Sequence, residues 1–285
     1  MAFKKYEDLC FTDDYMFWTV MTNYEEICLQ VVELCIGRRV HEIRYKEGQK
    51  SLQAAPASKG IRLDVYLEDE ARTLYDIEMQ NLARPFIGRR IRYYSSTMDV
   101  NYLYAGMDYE ELPDLYVVFL CMFDPFGAGQ VVYEFERREK TRTDLSLGDG
   151  SKALLINPFG DDSGCTPRMR SFLAYLRGED ADHGLGRQIE DAVLQVKRHE
   201  KWREGYMKYE ADMMDQRREG RAEGIAEGRA AGIAEGIAEG HAKGIAESRS
   251  ALCDRMIRQG LSDAQIAQIM EVPAEEIAQR RLEIG

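Results

Sequence analysis

Ile61-Arg62-Leu63-Asp64-Val65-Tyr66 and Tyr75-Asp76-Ile77-Glu78-Met79-Gln80 decide the fold. Both stretches read as strands, rich in β-branched and aromatic residues. The polar turn Glu68-Asp69-Glu70 lies between them, which predicts a hairpin with strands over 61–68 and 72–80. Side chains alternate faces along a strand, so Glu78 and Gln80 point the same way. A turn near Asp69 brings Asp64 alongside the second strand. Two carboxylates on one sheet face, with a polar group two residues on, suit a hard divalent cation and a water. Taken alone, the same residues also fit an ordinary solvated acidic hairpin, because Glu70 and Asp76 stand close by.

Outward from the hairpin the periodicity alternates between helix and strand. Apolar residues recur with helical spacing from Met16 to Cys35, behind a helix start at Asp13-Asp14. Asn23, with Glu26 three residues on, predicts a cap for a second helix inside this stretch, and Gly37 ends it. Val40 to Tyr45 alternates like a strand, and residues 46–60 read as a polar loop. Residues 86–105 read as a helix, and Leu115 to Phe123 as a strand buried on both faces. Val131, Tyr133 and Phe135 give a further strand, and Leu154-Leu155-Ile156 a short one. Residues 167–178 and 186–215 read as helices. The order implies a mixed α/β domain over about the first 200 residues.

A repeat follows. Glycine occupies every fourth position from Gly220 to Gly244, with alanine two residues after each and isoleucine at 225, 233, 237 and 245. A period of four exceeds the 3.6 of an α-helix, so the stripes drift and favour right-handed winding around a partner. Each helical glycine costs about 1 kcal/mol against alanine. The segment therefore predicts either a helix that forms on pairing or a flexible linker. Beyond it, Leu252 to Arg258 is amphipathic, Ser262 and Gln265 match a capping box, and Ala274 to Arg281 reads as a last helix. Two short helices around a turn resemble a helix-turn-helix, but Ala274-Glu275-Glu276 would repel phosphate. A small helical cap or a protein contact is the better reading.

Composition bounds the function. The chain has 285 residues, 45% of them hydrophobic, and a formal net charge of −12. That charge disfavours broad attraction to nucleic acid and leaves local basic faces, such as Arg84, Arg89, Arg90 and Arg92, or the run from Arg137 to Arg142. No apolar run is long enough to span a membrane, and the N-terminus lacks a secretory h-region. Six cysteines show no CxxC pair, and Cys28 and Cys35 read as buried thiols, which implies a reduced cytoplasmic compartment. Four scattered histidines argue against zinc.

Asp64 followed by Glu78-Met79-Gln80 resembles the PD-(D/E)xK nuclease superfamily, specifically the bacterial recombination-promoting nuclease / putative transposase family. The resemblance continues through Arg90, Tyr93, Tyr94, Gly106, Tyr109, Leu112, Pro113, the Phe172-Leu173-Ala174-Tyr175-Leu176 helix, Tyr206-Met207 and the Gly-x-Ala-Glu repeat, covering about residues 5–248. It implies an α/β, restriction-endonuclease-like core, a mixed central sheet flanked by helices, followed by a C-terminal helical extension. The expected division is a nuclease-like domain over 1–200, the repeat over 201–248 and a small helical tail over 249–285.

The resemblance further implies a magnesium-dependent (or manganese-dependent) DNA endonuclease linked to recombination or transposition. Asp64 and Glu78 would hold the metal, with the Met79 carbonyl as a third ligand, and Glu25 or Glu26 would supply a helix carboxylate. Arg90 and Arg84 would contact DNA, and the repeat would mediate homo-oligomerisation. Gln80 departs from the superfamily lysine; it can orient a water but supplies no positive charge. Leu63 stands where the motif's proline would be. Gln80 and the repeat also motivate a rival, a catalytically silent DNA-binding or self-assembling protein. Another carboxylate-pair hydrolase, such as a glycosidase, is a third reading, disfavoured because no sugar-stacking aromatics cluster at the motif.

Overall fold

The computed structural model describes residues 4–55, 57–179 and 183–284; Met1-Ala2-Phe3 of the N-terminal reading and one position of the 46–60 loop fall outside them. The chain divides into two units, Met1–Glu210 and Ala211–Gly285.

The first unit is built on a mixed six-stranded sheet in the order β1-β2-β3-β4-β6-β5. Its strands are β1 (Ile43–Leu52), β2 (Ile61–Asp69), β3 (Leu74–Gln80), β4 (Leu115–Cys121), β5 (Val132–Phe135) and β6 (Ser151–Ile156). β1, β2 and β3 form an antiparallel meander, β4 and β6 run parallel to β3, and β5 returns antiparallel on β6. β4 is buried along its whole length, which explains its unbroken apolar sequence.

Helices cover both faces. On one, α1 (Asp14–Asn23), α2 (Glu25–Ile36), α4 (Pro167–Leu176) and α5 (Gly184–Arg198) pack Phe17, Val31, Phe172 and Ile189 against Val65, Ile77, Val118 and Ile156. On the other, α3 (Ile87–Tyr102) places Ile91 over Val117 and Phe119, and Met98 with Leu63 and Leu74. α6 (Glu200–Arg258) starts in this unit, where Tyr206 packs on Tyr15 and Tyr6, and the Tyr6 hydroxyl donates to the Val196 carbonyl at 2.8 Å. The expected α/β architecture with a C-terminal helical extension is present.

Three local expectations are corrected. Residues 46–52 are not loop but the greater part of β1, an edge strand whose side chains are half-buried or exposed throughout and leave no alternation to read. The break between α1 and α2 falls at Tyr24 without an Asn23 cap; the Asn23 amide instead donates to the Thr19 carbonyl at 2.7 Å. The helix expected over 186–215 is two helices, because His199 is extended (φ −93°, ψ 118°). Gly37 terminates α2 as expected, in the left-handed conformation that glycine adopts freely.

In the second unit the glycine repeat is helical throughout and exposed. The end of α6 packs with α7 (Asp263–Met270) and α8 (Ala274–Ile284) around Cys253, Met256, Ile257, Ile266 and Ile277. The Ser262–Gln265 capping box forms, and Arg280 pairs with Asp254. This cluster gives the tail a small apolar core of its own.

Candidate active site

The hairpin does what its sequence predicts: β2 and β3 pair antiparallel from Glu68↔Leu74 to Val65↔Ile77. There the ladder stops, and side chains replace backbone partners. The Asp64 amide donates to Glu78 Oε1 at 2.8 Å, and the Met79 amide donates to Asp64 Oδ2 at 3.1 Å. Each carboxylate is thus held by the other strand's backbone. Met79 turns its amide toward β2, and an extended residue carries its carbonyl on the same edge. That carbonyl therefore faces the opening beside the two carboxylates.

The opening has a cause in β2. Val65 and Leu67 pack on the α1/α2 face, whereas Ile61 and Leu63 pack on the α3 face. Leu63 and Val65 would share a face in a regular strand, so the alternation reverses at Asp64. On β1 the register runs unbroken from Gly48↔Val65 to Lys50↔Leu63, but Gln49, between them, breaks the extended backbone with φ 57°. Such an irregularity re-aims a side chain out of the ladder.

Asp76, Glu78 and Gln80 line the same face of β3 and are all buried. Neither Asp76 oxygen has a hydrogen-bond partner among the described residues. Its neighbour Glu78 is itself a carboxylate, so a bond between them requires one to keep a proton. Burial, then mutual repulsion, pushes the Asp64, Asp76 and Glu78 carboxyls well above the usual carboxylate range. Asp14, in the first turn of α1, adds to the negative field at Asp64 and is itself raised by burial and by Asp13.

One cation answers this cluster from inside. Arg90, in the first turn of α3, donates from Nη1 to Gln80 Oε1 at 2.8 Å, and its guanidinium lies over the Tyr94 and Phe119 rings. It pulls against the upward shifts at Asp76 and Glu78. The Gln80 amide is thereby fixed, with Nε2 at 3.4 Å from Glu78 Oε2. Arg84 lies on the exposed loop between β3 and α3, in the field of Asp14.

The structure therefore brings Asp64, Glu78, Met79, Gln80 and Arg90 together. Glu25 and Glu26 it places elsewhere, at the start of α2 in a groove shared with Gln188, Asp191 and Gln195 of α5. The helix carboxylate whose charge is felt at Asp64 is Asp14, which reads in sequence only as a helix start. Asp76 was legible: two residues before Glu78, it shares its face by alternation alone.

A hard divalent cation fits these residues. Buried like-charged carboxylates with orphaned oxygens are costly, and a cation offsets that cost. The oxygen-only donor set is what magnesium takes, and magnesium keeps several waters on one or two carboxylates. No group of three or more His, Cys, Asp or Glu side chains that could hold a metal ion occurs among the described residues, so the fit rests on the Asp64–Glu78 pair.

Residues 12–143 match the family model described as PD-(D/E)XK nuclease family transposase. The match contains the whole β2–β3 hairpin, α1 and α3. No curated protein and no solved structure matches the chain.

Proposed function

Starting from the match of residues 12–143 to the PD-(D/E)XK nuclease family transposase model, we propose that the chain is a magnesium-dependent DNA endonuclease. The observation that carries this is the reciprocal hold of Asp64 and Glu78 at the point where the β2–β3 ladder opens. Asp64, Glu78 and the Met79 carbonyl would hold the metal, with Asp14 close enough in the field of Asp64 to reinforce it. When bound, the metal acidifies a water and draws charge from the phosphate.

The chain's own residues do the rest. The backbone amides of Asp64 and Met79 fix the two carboxylates before substrate arrives, so no reorganisation is needed. Gln80, clamped between Glu78 and Arg90, keeps an amide N–H to orient a water and cannot itself act as a base. Arg90 restores the positive charge that glutamine lacks, placing it against the phosphate's developing charge. We assign it this role in place of a DNA-backbone contact; Arg84, on the exposed loop, is the backbone contact. The glycine repeat serves self-association, because glycine lets helices approach closely. No helix among the described residues is long and apolar enough to cross a membrane, and the buried thiols suit a reduced, cytoplasmic setting.

Plasmid nicking with and without magnesium tests the proposal. Wild type should nick only with magnesium or manganese, and Glu78→Ala should lose at least about 100-fold, the upper end of what even outer-shell changes cost. Equal, metal-independent cleavage by Asp64→Ala and wild type would defeat it.

A further inference from the structure

The loop from Asn81 to Phe86 joins the end of β3 to the start of α3, so it runs from Gln80 to within four residues of Arg90. It is tied down at both ends. Asn81 Nδ2 donates to the Thr12 carbonyl at 2.7 Å, and the Phe86 carbonyl accepts from the Arg89 and Arg90 amides at 2.9 and 3.1 Å. Pro85 fixes its own φ within it. Yet its two large apolar side chains face water: Leu82 is 65% and Phe86 67% exposed. Phe86 also holds φ 64°, a left-handed conformation that is strained for a bulky residue. The Arg89 guanidinium braces its ring at 5.1 Å.

Cations stand in and beside this loop: Arg84 is exposed within it, and Arg89 lies on the Phe86 ring. A continuous duplex offers a phosphate site no apolar surface at its backbone; an open base step offers the faces of its bases. Proteins that enter such steps set apolar side chains beside phosphate-binding cations.

We propose that Leu82 and Phe86 form an apolar wedge that packs on unpaired or unstacked bases beside the scissile phosphate. The chain then selects DNA with a locally open structure over continuous duplex. This inference rests on the nuclease reading for its placement.

The test compares two labelled oligonucleotide duplexes of one sequence, fully paired and with a central bubble, using the full chain in magnesium. Binding is read by fluorescence anisotropy and cleavage by single-turnover kinetics. Wild type should prefer the bubble by about tenfold, since stacking on an aromatic ring contributes about 1–3 kcal/mol per base. In the Leu82→Ser/Phe86→Gly double variant the bubble-to-duplex ratio should fall to near one. Glycine accepts the positive φ, so the fold is kept, which an unchanged Tm checks. Equal binding of both duplexes by wild type, or an unchanged ratio in the variant, overturns the proposal. If the variant unfolds, 2-aminopurine placed in the bubble decides with wild type alone: emission that changes on binding, as the base leaves its stacked neighbours for the wedge, supports the proposal, and unaltered emission overturns it. Wedge-dependent bubble binding without any cleavage would remove the nuclease reading and keep the wedge. Cleavage without preference removes the wedge alone.

Discussion

At the residue scale, the site is a set of acids held where acids are costly. Glu78, Asp76 and Asp64 all carry folded-state pKa values above their unfolded ones. An acid raised in this way binds more protons folded than unfolded, so its contribution to stability is greatest at low pH and is lost as pH rises through the folded pKa. Without metal, Tm should therefore climb as pH falls from 7 toward 5, and magnesium should raise Tm more at pH 8 than at pH 6. Differential scanning calorimetry at both pH values reads this; a metal effect of equal size at each would contradict it. Glu78→Gln should likewise raise the metal-free Tm by a few degrees, since about 1 kcal/mol moves a domain of this size by 2–4 °C.

Arg90 is the second residue-scale prediction. Removing its charge in Arg90→Met should cut the cleavage rate by roughly 10–100-fold, with Arg90→Lys retaining part of it. Single-turnover kinetics separates this from weaker DNA binding: a loss confined to Kd would return Arg90 to a DNA-contacting role.

At the scale of elements, β1 explains how Asp64 leaves the ladder. This edge strand has a left-handed residue, Gln49, between the Gly48↔Val65 and Lys50↔Leu63 pairs that flank Asp64, and is seated on α1 through Gly48. A Cβ there would lie 2.8 Å from Thr22 Cγ2 and 3.1 Å from the Trp18 ring. Thr22 is β-branched and its hydroxyl is bonded to the Trp18 carbonyl at 2.6 Å, so it has little freedom to move away. Gly48→Ala should cost about 1–3 kcal/mol by overpacking. Chemical denaturation measures it, and an unchanged midpoint would show that α1 yields. The hairpin turn at the far end is held separately: Asp69 accepts from the Ala71 and Thr73 amides and the Tyr75 hydroxyl, and Arg38 joins this network.

At the scale of the molecule, the two units answer to different physics. The first is stabilised by two-sided burial of a sheet. The repeat in the second buries nothing of its own: a Cβ on any of its seven glycines would meet open space, and Ile225, Ile233, Ile237 and Ile245 are about half to two-thirds exposed. Each of those glycines costs the helix about 1 kcal/mol. Gly232→Ala with Gly236→Ala should therefore strengthen the isolated helix while weakening self-association, because the added methyl groups hold helices apart. Circular dichroism and sedimentation velocity together check this. Higher helicity with an unchanged sedimentation coefficient would mean that the glycines mediate no contact.

The sequence by itself determined the hairpin, the buried central strand, the α2 stop at Gly37 and the acid pair Asp64 and Glu78, because each is written in local periodicity and turn chemistry. It also contained Asp76, through alternation. Only the tertiary structure decided that the charge of Asp14 rather than of Glu25 or Glu26 is felt at Asp64, since that depends on how α1 crosses the sheet. It likewise decided that residues 46–52 are strand, because an edge strand is defined by its partner and not by its own pattern. And it decided that Arg90 faces Gln80, through a contact ten residues apart in the chain whose reach is set by the packing of α3 on β4. Local pattern fixes which residues share a face; long-range packing fixes which faces meet.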